Sequence, residues 1–241
     1  MSVNTERITL YSAVNSPFPR RVAIALEEIG VSYDVIDLNL VEKPDWYQEK
    51  HPSPHTHPHH PTQVPCLVYG GPKLSPDQAP SPDAVKLIES VVILEFLAEV
   101  FPSAGLLPAP PKTRAHVRLF IATADAHFRP CLFGVVSGGP AAPLVAMLEE
   151  LQAFLPADSG FVAGQWSIAE AAFLPLLLTL RVVLSIPPPA SAPAEIAAFF
   201  AALDGDRLAR LRKYEEDLMA RKSTRTVWNE ASATRVHGDA C

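Results

Sequence analysis

The run "VNSPFPRRV" (14–22) sets a hydroxyl, Ser16, directly before Pro17 and a helical pattern. Proline is favoured at the first helical position, so Ser16 or Asn15 can cap the helix by accepting an amide hydrogen bond. The same hydroxyl has a second use. A redox helix carries a cysteine at this point and attacks disulfides with its thiolate. Serine cannot do that, but it can donate a hydrogen bond to an anion that a ligand brings. The residues alone leave both uses open.

Other residues compete for chemistry. Glu89 and Ser90 stand at a strand-to-helix junction, where helix amides favour a bound carboxylate and where Ser90 can also serve as a plain cap. Tyr11 ends the first strand, with four residues between it and Ser16, and reads as a core aromatic. Cys66 follows Val64-Pro65 at a strand start, with its side chain expected in the sheet core. In "ATADAHFRPCLFG" (122–134), Phe128 and Arg129 can hold a flat ring by stacking and cation–π contact, with Asp125 one turn earlier and Cys131 read as a small buried residue. "HPSPHTHPHHP" (51–61) holds five of the eight histidines. Its spacing invites Zn²⁺ or Ni²⁺, but four prolines keep it extended and no carboxylate or cysteine lies within it, so it reads as an exposed insertion without metal.

Three cysteines, Cys66, Cys131 and Cys241, are few, odd in number and widely spaced, which suits reduced thiols in a cytoplasmic protein. The first seven residues carry no apolar signal core. A net charge of −6 without a dense basic run argues against nucleic acid. The most apolar stretch, Phe173 to Ile186, contains Pro175 and Arg181 and is short for a bilayer; a buried helix is expected.

The elements that must position these residues change character along the chain. "RITLY" is a short strand, and Val22, Ala25, Leu26 and Ile29 share a helical face that Gly30 stops. "SYDVIDLNL" alternates with period two, so a β-α-β unit with parallel strands follows. "VPCLVYGG" and "VKLI" supply two more strands, separated by the loop "SPDQAPSPDA", before the helix of "SVVILEFLAEVF". Beyond about Pro108 strand signals vanish and helices are predicted over 112–135, 142–155, 167–186, 193–203 and 205–222. The shift puts an α/β domain at 1–102, a linker at 103–111 and an all-helical domain at 112–241. Ser167 and Glu170 have capping-box spacing at the start of the most apolar helix.

Four segments in this order resemble the cytosolic glutathione transferases over nearly the whole chain. "SPFPRRV" resembles the Omega-class Cys-Pro-Phe-x-x-Arg opening with Ser16 in place of cysteine. "VPCLVYG" resembles the segment with the glutathione-binding cis-proline, and "LIESVVILEFL" the Glu-Ser stretch that binds the γ-glutamyl end. "GQWSIAEAAFLP" resembles the helical domain's capping box, with Glu170 for the usual aspartate. Ser16 and the long linkers point toward fungal Omega-like members.

The resemblance implies a thioredoxin-like domain followed by an all-α domain, a homodimer, and glutathione as cosubstrate. It assigns Ser16 to the glutathione sulfur, and Phe18, Lys50, Val64, Pro65, Glu89 and Ser90 to the rest of the tripeptide. A hydrophobic or aromatic partner molecule then belongs between the domains, against Asp125, Phe128 and Arg129. The implied activity is transfer of glutathione to hydrophobic electrophiles. The alternative is a ligandin, a binder of aromatic or polyphenolic metabolites with slight catalysis.

Overall fold

The computed structural model describes residues 6–40, 42, 44–50, 63–186 and 190–228, with backbone alone at 48–50. Strand β1 (Ile8–Ser12) leads into helix α1 (Pro17–Ile29), then β2 (Asp34–Asp37), α2 (Asp45–Lys50), β3 (Cys66–Tyr69), β4 (Val85–Ile88) and α3 (Ser90–Val100). The four strands form one sheet in the order β2-β1-β3-β4. β1 and β2 are parallel, as the β-α-β pattern predicts, while β3 runs antiparallel to both β1 and β4. From Pro111 onward the regular elements are helical: α4 (Pro111–Val136), α5 (Ala142–Gln152), α6 (Ile168–Ser185), α7 (Pro193–Asp204), α8 (Ala209–Met219) and α9 (Lys222–Val227). The architecture is a thioredoxin-like part with a mixed sheet joined to a helical part, as expected.

Strand periodicity sorts the core onto two faces. Ile8, Leu10 and Leu67 face α1 and α3 and join a large apolar cluster that continues into α4, α5 and α6. Tyr11, Cys66 and Val68 face the other way, against Tyr47 of α2. Helix α6 carries the centre of the helical part; 13 of its residues are buried, from Ile168 to Leu184. Helices α4 and α6 are long and apolar enough to cross a membrane by length and composition, but 72% of the relevant α6 window is buried inside the protein. The buried-helix expectation for Phe173 to Ile186 therefore holds, although the helix is longer than the apolar run suggests.

Local signals explain most boundaries. Gly30 ends α1 in the left-handed region at φ 76°, where its amide returns to the Leu26 carbonyl 3.0 Å away. The segment Ser75 to Ala84 has no regular structure, as expected for the loop between β3 and β4. Three boundaries differ from the sequence reading. β2 is only Asp34–Asp37, shorter than its alternating run. Residues 205–222 do not form one helix but a 3₁₀ turn followed by α8, and α9 starts anew after Arg221. The short helix α2 was not expected, because "DWYQEK" carries no apolar periodicity. The histidine-rich run 51–61 and Cys241 lie outside the described residues.

Candidate functional site

The end of β1 turns at Ala13, whose carbonyl accepts from the Ser16 amide at 3.0 Å, and α1 begins at Pro17. Ser16 has extended backbone, and its side chain makes no capping hydrogen bond. Ser16 instead lines a cleft of about 440 Å³ between the sheet part and α4. Pro17 and Pro19 carry no N–H, so of the first three helical residues only Phe18 offers an amide. The cleft end of α1 is therefore poor in backbone donors, which leaves the Ser16 hydroxyl as a larger share of the hydrogen-bond donors there.

Val64 and Pro65, joined by a cis peptide bond, form the next wall. Tyr47 of α2 fixes this segment from behind by donating to the Gln63 carbonyl at 2.9 Å. Glu89 and Ser90 close the sheet-side lining. Glu89 occupies the N-cap position of α3 with φ 67°, a conformation that costs a non-glycine residue about 1–3 kcal/mol. Such a residue persists where surrounding contacts enforce it, and here its carbonyl accepts the Ile93 amide at 3.0 Å. The expectation of Ser90 as the cap is thereby corrected. Ser90 is the first residue of α3, and its Oγ accepts a hydrogen bond from Arg21 at 3.2 Å. The occupied lone pair leaves the Ser90 proton available to a carboxylate in the cleft.

Arg21 ties the two halves together at this point. It is 1% exposed and donates to both Asp125 carboxylate oxygens, at 2.5 and 3.2 Å. Its guanidinium carbon also stands 5.1 Å from the centre of the Phe18 ring. Asp125 lines the cleft as expected, but with its charge matched by Arg21 it acts more as a fixed wall than as a free carboxylate. Phe128 and Arg129 complete the α4 side. Phe128 is buried, so it forms floor rather than an open stacking face, whereas Arg129 is exposed at the rim.

Two rivals are settled by burial. Tyr11 is 1% exposed in the cluster beneath the sheet, its phenol pushed up to about 12, first by burial and then by Cys66. Burial likewise raises the Cys66 thiol to about 12, which makes it an inert core residue. Cys131 is only half-buried, more open than expected, with its thiol raised by desolvation and its Sγ 3.7 Å from the Pro143 carbonyl. Lys50 ends α2, and its side chain lies outside the described residues. Among the described residues no group of three or more His, Cys, Asp or Glu stands close enough to hold a metal ion. Sequence reasoning missed Leu40 and Gln63, which also line the cleft. The loop position of Gln63 beside Val64 was its one available signal.

The model of the glutathione S-transferase N-terminal domain matches residues 15–100, the stretch from Asn15 through α3. Among solved structures, glutathione transferase Omega 2S from Trametes versicolor is 38% identical with a TM-score of 0.84, covering 96% of both chains. Omega 1C from the same fungus is also 38% identical, with a TM-score of 0.85 over 96% of this chain and 94% of that one. Glutathione S-transferase omega-2 of Mus musculus is 31% identical over 114 residues, 47% of this chain and 38% of the mouse protein. The match thus spans about two fifths of that curated relative's length.

Proposed function

Because the chain belongs to the Omega-like glutathione transferases, we propose that it binds glutathione, holds its sulfur as a thiolate with the Ser16 hydroxyl, and passes that sulfur to hydrophobic electrophiles. The observation that carries this reading is the unused hydroxyl of Ser16. It lines the cleft and makes no cap.

A free thiol of this type titrates near about 8.5, and a hydrogen bond to a charged group contributes roughly 1.5–3 kcal/mol. At about 1.4 kcal/mol per pH unit, one hydroxyl donor lowers the thiol by about 1–2 units. Much of the bound thiol is then ionised near neutrality. Its proton leaves to water. The sulfur lone pair forms the new C–S bond, and the leaving group departs with the bonding pair it shared with carbon. The γ-glutamyl carboxylate fits the Ser90 hydroxyl and amide, and Glu89 accepts from the adjacent ammonium. Val64 pairs with the cysteinyl backbone beside Phe18 and Pro65, and Lys50 takes the glycine carboxylate. The electrophile occupies the α4 side, between Asp125, Phe128 and the Arg129 rim.

A hydroxylated aromatic molecule is the favoured ligand class, because Omega 2S from Trametes versicolor was solved in complex with 2,4-dihydroxybenzophenone. The homodimer fits the exposed Val92 on α3 and Leu119 on α4, which stand near the Glu95–Arg118 ion pair.

Ser16→Cys tests the chemistry. Given glutathione disulfide, it should form a mixed disulfide visible by mass, releasing one glutathione thiolate as the leaving group, and gain thiol transferase activity while conjugation falls. Unchanged activities in both assays would remove position 16 from the sulfur. Ser90→Ala should weaken glutathione by about 10–100-fold in calorimetry, since a donor to a charged carboxylate is lost. Strong thermal stabilisation by polyphenols with negligible turnover would instead favour the ligandin reading.

A further inference from the structure

Arg20 stands one turn after Ser16, outside the cleft, whose lining includes neither it nor Trp228. It is 8% exposed, yet among the described residues no carboxylate lies within ion-pair distance, in contrast to Arg21 beside it. Burying a guanidinium without a counter-charge is costly, and desolvation lowers its pKa to about 10. Two contacts hold it there. Its Nη2 donates to the Val14 carbonyl at 2.7 Å, and its guanidinium carbon lies 4.2 Å from the centre of the Trp228 ring.

Both contacts bear on the site. Val14 belongs to the turn that delivers Ser16, and its own side chain is 45% exposed, so the Arg20 bond holds the one position of this turn that packing leaves loose beside the buried Ala13. Trp228 follows α9, which packs against α1, and its own amide donates to the Thr224 carbonyl at 2.7 Å. A ring face 4.2 Å from a desolvated guanidinium is an attractive cation–π contact. The far end of the helical part thus sets where the Arg20 head stands, and Arg20 in turn grips the turn before Ser16.

Resting on the proposed role of Ser16, we propose that Arg20 is a positioning residue for the Ser16 hydroxyl, acting through the Val14 carbonyl, and that Trp228 locks it in place. Thiolate stabilisation in the cleft then depends on a residue of the C-terminal segment that never touches the ligand. A loose turn lets the hydroxyl leave the sulfur for part of the time, and the amide-poor start of α1 supplies little to replace it.

The test is an ultraviolet titration of the glutathione thiolate bound to the full chain, paired with a denaturant midpoint measured without ligand. Arg20→Met should raise the bound thiol's pKa by about 0.5–1, part of the effect of losing the hydroxyl. Trp228→Leu should shift it in the same direction by less, and Arg20→Lys should restore part of the loss. Trp228→Leu decides the matter if Arg20→Met does not fold. Placed on a Ser16→Ala background, Arg20→Met should add nothing further. If it adds its full shift there, Arg20 acts on the sulfur by charge rather than through the hydroxyl, and the proposal is overturned. If Ser16→Ala shifts the titration while neither Arg20→Met nor Trp228→Leu does, the positioning role alone falls. If Ser16→Ala itself has no effect, the reading of Ser16 fails and the positioning role fails with it.

Discussion

Among the described residues two serines stand at N-cap positions, Ser16 and Ser167, and their surroundings put them to opposite uses. Ser167 precedes α6 and is 0% exposed; its Oγ accepts from the Ala169 amide at 3.2 Å and donates to Glu170 at 2.8 Å. The Glu170 carboxylate returns to the Ser167 amide at 2.8 Å, which completes a capping box, and also accepts from the Val162 amide and the Tyr214 hydroxyl. Burial pushes the Glu170 carboxyl up, and the hydrogen bonds from Val162 and Ser167 oppose the shift. Ser16 precedes α1 with the same hydroxyl, no cap bond and a cleft in front of it. A helix start whose side chain is already satisfied is architecture; one whose side chain is left free beside a cleft is available to a ligand.

The capping box at α6 carries the larger share of stability. Glu170→Ala leaves four donors without their acceptor in a dry interior, and buried donors left unpaired cost about 1–3 kcal/mol each unless water enters. A loss of about 4 kcal/mol or more in denaturant unfolding is expected. A loss below about 1 kcal/mol would mean the box is dispensable.

Glu28 tests whether the other end of α1 is structural while its start is free. Its carboxylate accepts from Arg221 at 2.6 and 2.7 Å and from Ser223, which joins α1 to α9. Burial alone would raise its pKa, but the hydrogen bonds from Arg221 and Ser223 and the Arg221 charge together hold it below the usual carboxylate value. A depressed folded-state pKa means that the folded protein binds fewer protons than the unfolded chain. The contribution is therefore complete above the unfolded value, about 4.5, and fades as pH falls through the folded one. Glu28→Gln should cost about 2 kcal/mol at neutral pH and flatten the acid limb of stability below about pH 5. An unchanged acid limb would place the acid sensitivity in other carboxylates.

The smallest pair of effects sharpens the comparison most. Ser167→Ala should lose about 1–2 kcal/mol, the usual cost of a cap, while Ser16→Ala should stay within about 0.5 kcal/mol because it has no cap bond to lose. Equal losses in the two variants would mean that Ser16 caps α1 after all.

The sequence carried the local part of this contrast and little of the long-range part. Capping-box spacing at Ser167 and Glu170, the glycine stop at Gly30 and the β-α-β pattern all depend on neighbours a few residues apart. The cleft residues Val64, Pro65, Glu89 and Ser90 were legible through motif order, and Phe128 and Arg129 through one helical turn. What stayed hidden depends on distant partners. Arg21 and Asp125 are 104 residues apart, and no local pattern announces that they meet. The capture of the Ser90 hydroxyl by Arg21, which fixes its orientation, is hidden for the same reason. Helices α2 and α9 are six residues each, too short for periodicity to register, and packing rather than propensity holds them.

If Ser16 holds the glutathione thiolate, ultraviolet titration of the bound thiol must differ between the natural protein and Ser16→Ala. In the natural protein the thiol should ionise about 1–2 pH units below its free value of about 8.5, and Ser16→Ala should return it most of the way. An unchanged titration in Ser16→Ala, with Tyr11→Phe shifting it instead, would contradict the account.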